Sequence, residues 1–463
     1  INSDAETLLF AYDKFGVSAF NIFNGMYAFA LYDSKINKVF LVRDKSGEKP
    51  LYYAIYNGVF YFASEIKSII QCIPKEFNEK CYDYDNLEYC FDEDTLFKNI
   101  FSVKPGEYIE IDVDSLHYYK TAYWKIWDNI IEIPDDEDKV EKDLTDLLID
   151  SIKLRTKNCA HDYACFVSGG IDSALVACVS NPKYIYHCNF SMGEEYDELK
   201  YAKTVEKILK KELIVIKPTK DDFLNNINDI VYHLDLPATW SSFGLYMLFK
   251  RASQDLIKVV LTGEGADELF GGYHRYHLLH NDEQIHNLDA MKQYGYLIEK
   301  YYGSPAERYF KLINRNDNFG DRDAQDDLLK KINFYFQKMN MKTINSIGVV
   351  DFYTSMQVLL QMEDRMSMAF SIENRSPFLD HRLIQYAYSL DSKYKIKNGV
   401  TKYIIKKIAK KFIPVEIYER TDKRGFIIPY NVWFPQKIKG KYDRSGFKYY
   451  IFNLWKNNFI KEK

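Results

Sequence analysis

A run of small residues between an apolar strand pattern and an apolar helical pattern constrains the fold of this chain more than any other stretch. Residues 163–167 are apolar and partly β-branched, residues 168–173 read Ser-Gly-Gly-Ile-Asp-Ser, and residues 174–178 are apolar again. This order predicts a strand, a tight loop and a helix. Glycines let the backbone approach an oxyanion, serines donate hydroxyl hydrogen bonds, and the N–H groups at a helix start attract negative charge. The loop is therefore predicted to hold phosphate, and Asp172 a Mg²⁺ ion that bridges to a polyphosphate.

The 168–173 loop is not the P-loop of kinases and GTPases, because it lacks the Gly-x-x-x-x-Gly-Lys-Ser/Thr form. It resembles instead the pyrophosphate-binding loop (PP-loop) of the N-type ATP pyrophosphatases, which cleave ATP to AMP and pyrophosphate. The resemblance implies a nucleotide-binding enzyme. The alternative is an ordinary strand-to-helix turn that binds no ligand.

Length and composition exclude several classes of protein. At 463 residues the chain is long for one core, which favours two domains. With 47% hydrophobic and 28% charged residues it is neither disordered nor membranous, and no apolar run approaches the roughly 18 residues of a spanning helix. The N-terminus lacks a targeting pattern, so a cytoplasmic location without a membrane span is expected. A net charge of −4 offers no footprint for nucleic acid, and the seven cysteines, never spaced Cys-x-x-Cys, signal neither disulfides nor a zinc site.

Residues 1–125 are predicted to form a β-rich domain. A capping pattern from Ser3 to Glu6 precedes an apolar periodic run, which predicts a helix. Short strands separated by turn residues follow, with a charged loop over 43–50. The predicted strands span 26–32, 38–42, 51–54 and 59–63, and a further helix spans 64–70.

Three stretches of this domain, 24–30, 43–52 and 64–67, resemble the second half of a class II (N-terminal-nucleophile) glutamine amidotransferase domain. That family uses an N-terminal Cys as nucleophile, and an Arg and an Asn-Gly pair that hold glutamine. All of these precede the stretch with which this chain begins. The resemblance implies that Asp4 pairs with the ammonium group of glutamine, and the alternative is a helix N-terminal charge. Because Ile1 is neither Met nor Cys, we expect the sequence to be partial.

Residues 126–463 are predicted to form a second, α/β domain, because strand and helix patterns alternate from residue 163 onward. Such an order forms a parallel sheet with helices on both faces and ligands at the carboxyl ends of the strands. The acidic segment 134–143 is predicted to be a linker or a first helical turn, and residues 274–350 a helical insertion. After the strand at 163–167, the predicted strands are 184–190, 213–216 and 258–262, with helices over about 197–210 and 220–233.

A second glycine-rich turn, 261–273, is predicted to lie at the same sheet edge as the 168–173 loop, because it also follows a strand. Asp267 is then a second Mg²⁺ ligand opposite Asp172. Glu264, between two glycines, is predicted to take a proton from an attacking amine. The alternative is that these acids only cap a helix.

The segment 361–381 carries charges among apolar residues, which indicates charge pairs in a partly buried segment. Both structural pairing and direct ligand contact stay open for its four candidate residues. These are Arg365, Glu373, Arg375 and Asp380.

Lysines near the C-terminus are candidates for phosphate contact. Lys402, at a predicted helix start, is placed to neutralise pyrophosphate that leaves an acyl adenylate. Lys423 is predicted to supply another phosphate contact. A solvated basic face is predicted for Lys406, Lys407, Lys410 and Lys411.

Five motifs in this order resemble the synthetase domain of glutamine-dependent asparagine synthetases, namely 168–173, 263–273, 375–380, 401–403 and 423–426. In that family ATP adenylates the aspartate side chain, and ammonia from the glutaminase domain attacks to give asparagine, AMP and pyrophosphate. The resemblance implies ATP and Mg²⁺ as cofactors, Asp172 and Asp267 as metal ligands, and roles in the chemistry for Glu264 and Lys402. It also implies ATP contacts from Ser168, Gly169, Gly170, Asp172, Ser173 and Gly263.

The fold that these resemblances imply is a partial N-terminal-nucleophile β-rich domain over 1–125. A parallel α/β PP-loop ATP pyrophosphatase domain with a helical insertion follows over 126–463.

One segment departs from the family pattern. Well-studied members carry a Thr-Thr-x-Arg-Ala-Ser or an Asp-Glu-Pro-Phe-Ala-Asp-Pro-Ser segment, whereas residues 235–242 read Asp-Leu-Pro-Ala-Thr-Trp-Ser-Ser. Ser242 keeps the final serine, but Trp240 stands where Arg or Asp would be. We expect Trp240, Ser242, Glu373 and Arg375 to form the acceptor pocket.

The leading hypothesis is an asparagine synthetase that acts on aspartate, ATP and either glutamine or ammonia, with a homodimer as one option for its assembly. The main alternative is an enzyme of the same chemistry with another carboxylate acceptor, such as a cell-surface sugar acid. A tRNA-thiolating PP-loop enzyme is disfavoured because Cys-x-x-Cys pairs and a basic face are absent. A non-catalytic binding module is disfavoured because Asp172, Asp267 and Lys402 are intact.

Overall fold

The computed structural model of the protein describes residues 3–79, 81, 87–157, 159–190, 197–238, 241–280, 303–314, 322–340, 342–420, 429–433, 437–438, 441–442 and 444–460. Two predicted site residues, Trp240 and Lys423, lie outside these ranges.

The region up to residue 125 contains two antiparallel sheets and confirms the β-rich prediction. Its strands are β1 Ala28–Asp33, β2 Lys38–Arg43, β3 Tyr52–Tyr56, β4 Val59–Ala63, β5 Ile100–Ser102, β6 Glu107–Asp112 and β7 Tyr118–Ala122. One sheet has the order β1-β2-β6-β7 and the other β4-β3-β5. Its helices are α1 Asp4–Phe15, α2 Ala19–Ile22 and α3 Ile66–Ile69, with a 3-10 turn at Gly16–Ser18. The predicted cap of α1 is present, because the N–H of Glu6 donates to the Ser3 hydroxyl at 3.2 Å.

A five-stranded parallel sheet forms the centre of the second region and confirms the α/β prediction. Its strands are β8 Tyr163–Phe166, β9 Tyr184–Cys188, β10 Leu213–Ile216, β11 Val259–Leu261 and β12 Glu373–Arg375. The order is β10-β9-β8-β11-β12. From β8 the chain proceeds outward to β9 and β10 and then returns to the other side of β8 for β11. The strand order therefore reverses between β8 and β11, and open parallel sheets bind their ligands at such a position.

Helices cover this sheet and form most of the remaining described structure. They are α4 Glu137–Thr156, α5 Ile171–Ser180, α6 Leu199–Leu209, α7 Lys220–Leu234, α8 Ser242–Gln254, α9 Ala266–Phe270, α10 His274–His280, α11 Pro305–Ile313, α12 Arg322–Lys338, α13 Thr343–Tyr353, α14 Ser355–Met368, α15 His381–Ser389, α16 Ser392–Lys395, α17 Tyr403–Ala409, α18 Val415–Tyr418, α19 Tyr430–Trp433 and α20 Arg444–Phe459. Two 3-10 turns, Ile126–Asn129 and Pro377–Leu379, and a hairpin of β13 Lys437–Ile438 and β14 Lys441–Tyr442 complete the elements. The acidic segment is the first turn of α4, capped by Asp136. Within the described residues, no helix combines the length and apolar character needed to cross a membrane.

The hydrophobic cores extend across residue 125. Phe91 and Trp124 belong to the same core as helices α4 and α5, and Ile66 and Phe97 belong to the core on the other face of the parallel sheet. The ring of Phe97 lies 5.2 Å from that of Trp455 on α20. The two regions are therefore packed together by apolar side chains.

The charged loop over 43–50 is buried between the two regions. The Arg43 guanidinium donates to the carbonyl oxygens of Gly47, Lys49 and Val103, each at 2.8 Å. At the end of the loop, the Lys49 ammonium pairs with Asp364 of α14 at 2.9 Å. Since buried polar groups are costly without partners, these contacts explain how a charged segment lies inside the protein.

Candidate active site

The two glycine-rich loops meet at the carboxyl edge of the parallel sheet, as predicted. They follow β8 and β11, which are neighbours. A Cβ atom at Gly263 would lie 2.8 Å from the backbone nitrogen of Ser173 and 2.9 Å from the Cβ of Asp172. No larger residue fits there without moving one loop, so glycine sets the distance between the loops.

The 168–173 loop is closed by hydrogen bonds between its serines. The hydroxyls of Ser168 and Ser173 lie 3.0 Å apart, and the N–H of Ser168 donates to the Ser173 hydroxyl at 3.1 Å. Helix α5 begins directly after Gly170, which places the positive end of its dipole at the loop. The loop thus has the shape and polarity of an anion site.

Arg420 supports this loop and was missed by the sequence analysis. Its guanidinium donates to the carbonyl oxygen of Gly169 at 3.2 Å, pairs with Glu198 at 2.6 Å and lies 4.0 Å from the ring centre of Tyr201. No local pattern links residue 420 to residue 169. Arg420 therefore adds a buried positive charge behind the phosphate loop.

Lys402 lies between the two predicted metal ligands. Its ammonium nitrogen is 2.6 Å from a carboxylate oxygen of Asp172 and 2.6 Å from one of Asp267, and its side chain is 5% exposed. A Cβ at Gly272 would lie 2.1 Å from the Cε of Lys402, so glycine is needed for the lysine to reach this position. The structure thus brings together three predicted residues from segments 95 or more positions apart.

The donor set around Lys402 fits a magnesium ion. Two carboxylates converge on one cationic atom, and Mg²⁺ is usually held by one or two carboxylates with substrate phosphates and water in the other positions. Among the described residues no group of three or more His, Cys, Asp or Glu side chains forms a metal site. Asp172 and Asp267 would therefore hold the ion together with ATP rather than alone.

Glu264 lies between Gly263 and Gly265, immediately before α9, and is partly buried. A neighbouring acid, Glu268, was not singled out from the sequence. Glu268 is buried and accepts a 2.6 Å hydrogen bond from the Tyr273 hydroxyl. Burial, and then the charges of Glu264 and Asp267, raise the pKa of Glu268 to about 8. Three carboxyl groups are thus close together where α9 begins, and Glu268 keeps its proton near neutral pH.

Glu373 and Arg375 pair with each other on β12, with 2.7 Å between the Arg375 Nε and a Glu373 oxygen. Arg375 also donates to the carbonyl oxygen of Arg155. This geometry shows structural pairing, and a contact with the acceptor stays a prediction. Ser242, at the start of α8, is buried.

Arg365 and Asp380 connect the two regions of the molecule. Arg365 donates to the carbonyl oxygen of Ser64. Asp380 accepts hydrogen bonds from Asn24 at 3.1 Å and Arg382 at 2.8 Å. Burial alone would raise the pKa of Asp380, but Arg382 and Arg155 hold it below its ordinary value. For these two residues the structure shows pairing within the protein.

The predicted solvated basic face is only partly exposed. Lys406 is half-buried one turn beyond Lys402, and burial followed by repulsion from Lys402 lowers its pKa. Lys407 and Lys411 pair with Glu141 of α4 at 2.9 and 2.7 Å. Lys410 and Lys411 are exposed as predicted, whereas Lys406 and Lys407 are only partly exposed. Asp4 is exposed in the first turn of α1, and its role toward glutamine stays a prediction.

A phosphate-type loop, two acids and a lysine thus lie together at the switch point of a parallel sheet, an arrangement suited to a ligase that binds an anionic substrate. The family model described as asparagine synthase matches residues 143–445, and the model of a glutamine amidotransferase domain matches residues 1–124. The chain belongs to the asparagine synthase family. It is an enzyme of the glutamine-hydrolysing asparagine synthetase type, a carbon–nitrogen ligase.

Relatives agree with this assignment. Asparagine synthetase (glutamine-hydrolyzing) 1 of Bacillus subtilis is 30% identical over 100% of this chain and 74% of the relative. A putative asparagine synthetase (glutamine-hydrolyzing) of Mycobacterium bovis is 26% identical over 93% of this chain and 71% of the relative. An amidase of Gibberella zeae is 24% identical over 93% of this chain and 74% of the relative.

Proposed function

We propose that this enzyme converts aspartate to asparagine with ATP, releasing AMP and pyrophosphate, and takes its nitrogen from glutamine or ammonia. The observation that carries the proposal is the position of Lys402 between Asp172 and Asp267 where the two glycine-rich loops meet. The proposal includes the division of the chain into a 1–125 amidotransferase-like part and a 126–463 synthetase part, and a cytoplasmic location.

In the first step the loops bind the triphosphate. A carboxylate oxygen of the acceptor attacks the α-phosphorus, the bond to the bridging oxygen breaks, and pyrophosphate leaves. Lys402 neutralises the charge that develops on the leaving group. Asp172 and Asp267 would hold Mg²⁺, which when bound supplies further neutralisation of that charge. The proposed ATP contacts are Ser168, Gly169, Gly170, Asp172, Ser173 and Gly263, with Lys423 as a further phosphate contact.

In the second step ammonia attacks the acyl carbon of the adenylate and AMP leaves. The nitrogen loses one proton as the amide forms. Glu264 is the proposed acceptor of this proton, because it lies on the loop that touches Asp172 and Ser173.

The proposed acceptor pocket consists of Trp240, Ser242, Glu373 and Arg375. Aspartate brings an α-ammonium and an α-carboxylate, and burying either without a partner is costly. Glu373 and Arg375 carry the charges that would complement these two groups. The alternative acceptor, a sugar acid, rests on Trp240, which lies outside the described residues.

The test is product analysis with ATP, Mg²⁺, ammonium chloride and a panel of carboxylates. We expect AMP and pyrophosphate to form with aspartate, in step with asparagine. Release of ADP and phosphate would contradict the AMP-forming reaction, and a signal from a uronic acid but not from aspartate would contradict the acceptor. Lys402→Gln should abolish turnover, whereas Lys410→Gln, an exposed lysine just beyond α17, should not.

A further inference from the structure

Two buried carboxyl groups lie at the contact between the two family-matched regions, and the charge of one acts on the other. Glu48 belongs to the buried 43–50 loop and is 7% exposed, and Glu363 belongs to α14 and is 4% exposed. We call Glu48 and Glu363 the interface carboxyl pair. Neither residue belongs to the phosphate loops or the predicted acceptor pocket.

Hydrogen bonds connect Glu363 to the carboxyl edge of the parallel sheet. One of its oxygens accepts from the Asn374 amide at 2.5 Å and from the Thr262 hydroxyl at 3.2 Å. The Thr262 hydroxyl is in turn 3.2 Å from the Ser376 hydroxyl. Thr262 and Ser376 are the first residues after β11 and β12, and Glu264 follows two residues after Thr262. A polar chain therefore leads from the pair to the loop that carries Glu264.

The charges around the pair leave it short of a counter-ion. Lys49 and Arg155 are the cations that act on Glu48, and Asp44 adds a negative charge. Lys49 is already paired with Asp364 at 2.9 Å. Arg155 is already paired with Asp380 at 3.4 Å.

Without a dedicated cation, the pair holds a proton near neutral pH. Burial raises the pKa of Glu48 to about 7. Burial, together with the charge of Glu48, also raises the pKa of Glu363 to about 7, against the lowering effect of Asn374 and Thr262.

We propose that the interface carboxyl pair receives the proton that ammonia loses when the amide forms. The inference rests on the proposed function. The nitrogen–carbon bond forms, the bond between the acyl carbon and the AMP oxygen breaks, and the proton on nitrogen passes to Glu264. Glu264 must lose that proton before the next turnover. The proton then passes, directly or through one water, to the Thr262 hydroxyl, which gives its own proton to the pair. The pair later releases it to solvent.

The test separates the two half-reactions in the full chain. Adenylation is followed as exchange of labelled pyrophosphate into ATP with aspartate but no nitrogen source. Amide formation is followed with ammonium chloride over a range of pH, with rates expressed per free ammonia. In the wild type, we expect amide formation to rise as the pH passes through about 7, because the pair must be deprotonated to accept the proton.

Glu363→Gln keeps the shape of the side chain and an oxygen that accepts from the Thr262 hydroxyl. The amide cannot take up the proton that the carboxylate accepts. We expect its adenylation to stay within about twofold of the wild type. Amide formation should fall about 100-fold and lose the rise near neutral pH. Unchanged amide formation would overturn the proposal. An equal loss in both half-reactions would also overturn it, because that result indicates a structural role.

Three further variants keep the test decisive if Glu363→Gln does not fold. Thr262→Val should reproduce the selective loss, and Thr262→Ser should restore amide formation. Glu107→Gln is the matched control, since Glu107 is a buried acid of raised pKa outside the chain to Thr262, and both half-reactions should be unaffected. A Thr262→Val variant with normal amide formation would overturn the relay. No exchange in the wild type would instead overturn the proposed function, and the relay with it.

Discussion

Two clusters in this molecule each pair a cationic side chain with buried carboxylate oxygens. They lie in different structural surroundings. At the sheet edge, Lys402 joins Asp172 and Asp267 beside two glycine-rich loops. In the helical region, Asp351 accepts from Arg275 at 2.8 Å and from the Tyr276 and Tyr309 hydroxyls at 2.6 and 2.5 Å.

The difference lies in what surrounds each carboxylate. Donors on two helices, α10 and α11, converge on Asp351, which lies on a third helix, α13. The sheet-edge acids lie where two strands end and a helix begins, with backbone available to a ligand. Burial of charge alone therefore does not identify a functional site, whereas its position relative to the parallel strands does.

The comparison is tested most directly at the sheet edge. Asp172→Asn and Asp267→Asn should each reduce pyrophosphate release about 1000-fold or more, because each removes a charge from the triphosphate site. Since Lys402 keeps one carboxylate partner, the free energy of unfolding should fall by no more than about 2 kcal/mol. Near-normal turnover in either variant would show that the cluster is structural after all.

The opposite outcome is expected at Asp351. Asp351→Asn leaves Arg275 without its buried counter-charge, which should reduce the free energy of unfolding by about 3–5 kcal/mol in urea titrations. ATP affinity of the folded protein should not change. Unaltered stability, or loss of ATP binding by a stable variant, would remove the distinction between the two clusters.

Gly263→Ala sharpens the comparison by moving one loop. Its Cβ would lie 2.8 Å from the Ser173 nitrogen, so the loops must separate, at a cost of about 1–3 kcal/mol in stability. ATP affinity should fall as well. Gly25→Ala is the control, because a Cβ there has nothing within 4 Å and should change stability by less than about 0.5 kcal/mol. Equal effects at both positions would contradict the loop contact.

The interface carboxyl pair should make the free energy of unfolding depend on pH. Burial raises the pKa of Glu363 from its ordinary 4.5 to about 7 in the folded protein. Below 4.5 the group is protonated in both states, and between 4.5 and 7 only the folded state keeps its proton. Unfolding then releases a proton, so the stabilising contribution falls as pH rises through this window and is constant above it.

Comparison of the wild type with Glu363→Gln isolates this contribution. Between pH 4.5 and about pH 7, the free energy of unfolding should fall by about 1–3 kcal/mol more in the wild type than in the variant. Urea unfolding measures this difference. Parallel curves for the two proteins would contradict the buried, protonated state of Glu363.

Elements with local patterns could be predicted from the sequence, and those made by long-range pairing could not. The apolar run at β8, the loop after it and α5 follow from periodicity over adjacent residues, and β10 was predicted with its observed bounds. Strand β12 was missed because Glu373-Asn-Arg375 has no strand pattern. It becomes a strand only by pairing with β11, more than 100 positions earlier.

The candidate site divides in the same way. Asp172, Asp267, Glu264 and Lys402 could be proposed from the sequence because each lies in a short motif after a strand or before a helix, and their roles stay predictions. Arg420 was not found, because only the fold brings it to Gly169. The 43–50 loop is rich in charged residues, yet it is buried, and its Lys49 pairs with Asp364 on α14. The acceptor pocket stays a prediction, since Trp240 lies outside the described residues.

The cores that extend across residue 125 have a consequence for dissecting this enzyme. A gene split at that position would yield two polypeptides, each with a wide apolar surface that the other normally covers, because Phe97 packs on Trp455 and Trp124 packs with the α4 core. Exposed patches of this kind favour aggregation. The two halves should therefore accumulate only when they are produced together. In that case the amidotransferase-like part stabilises the synthetase part whether or not it hydrolyses glutamine.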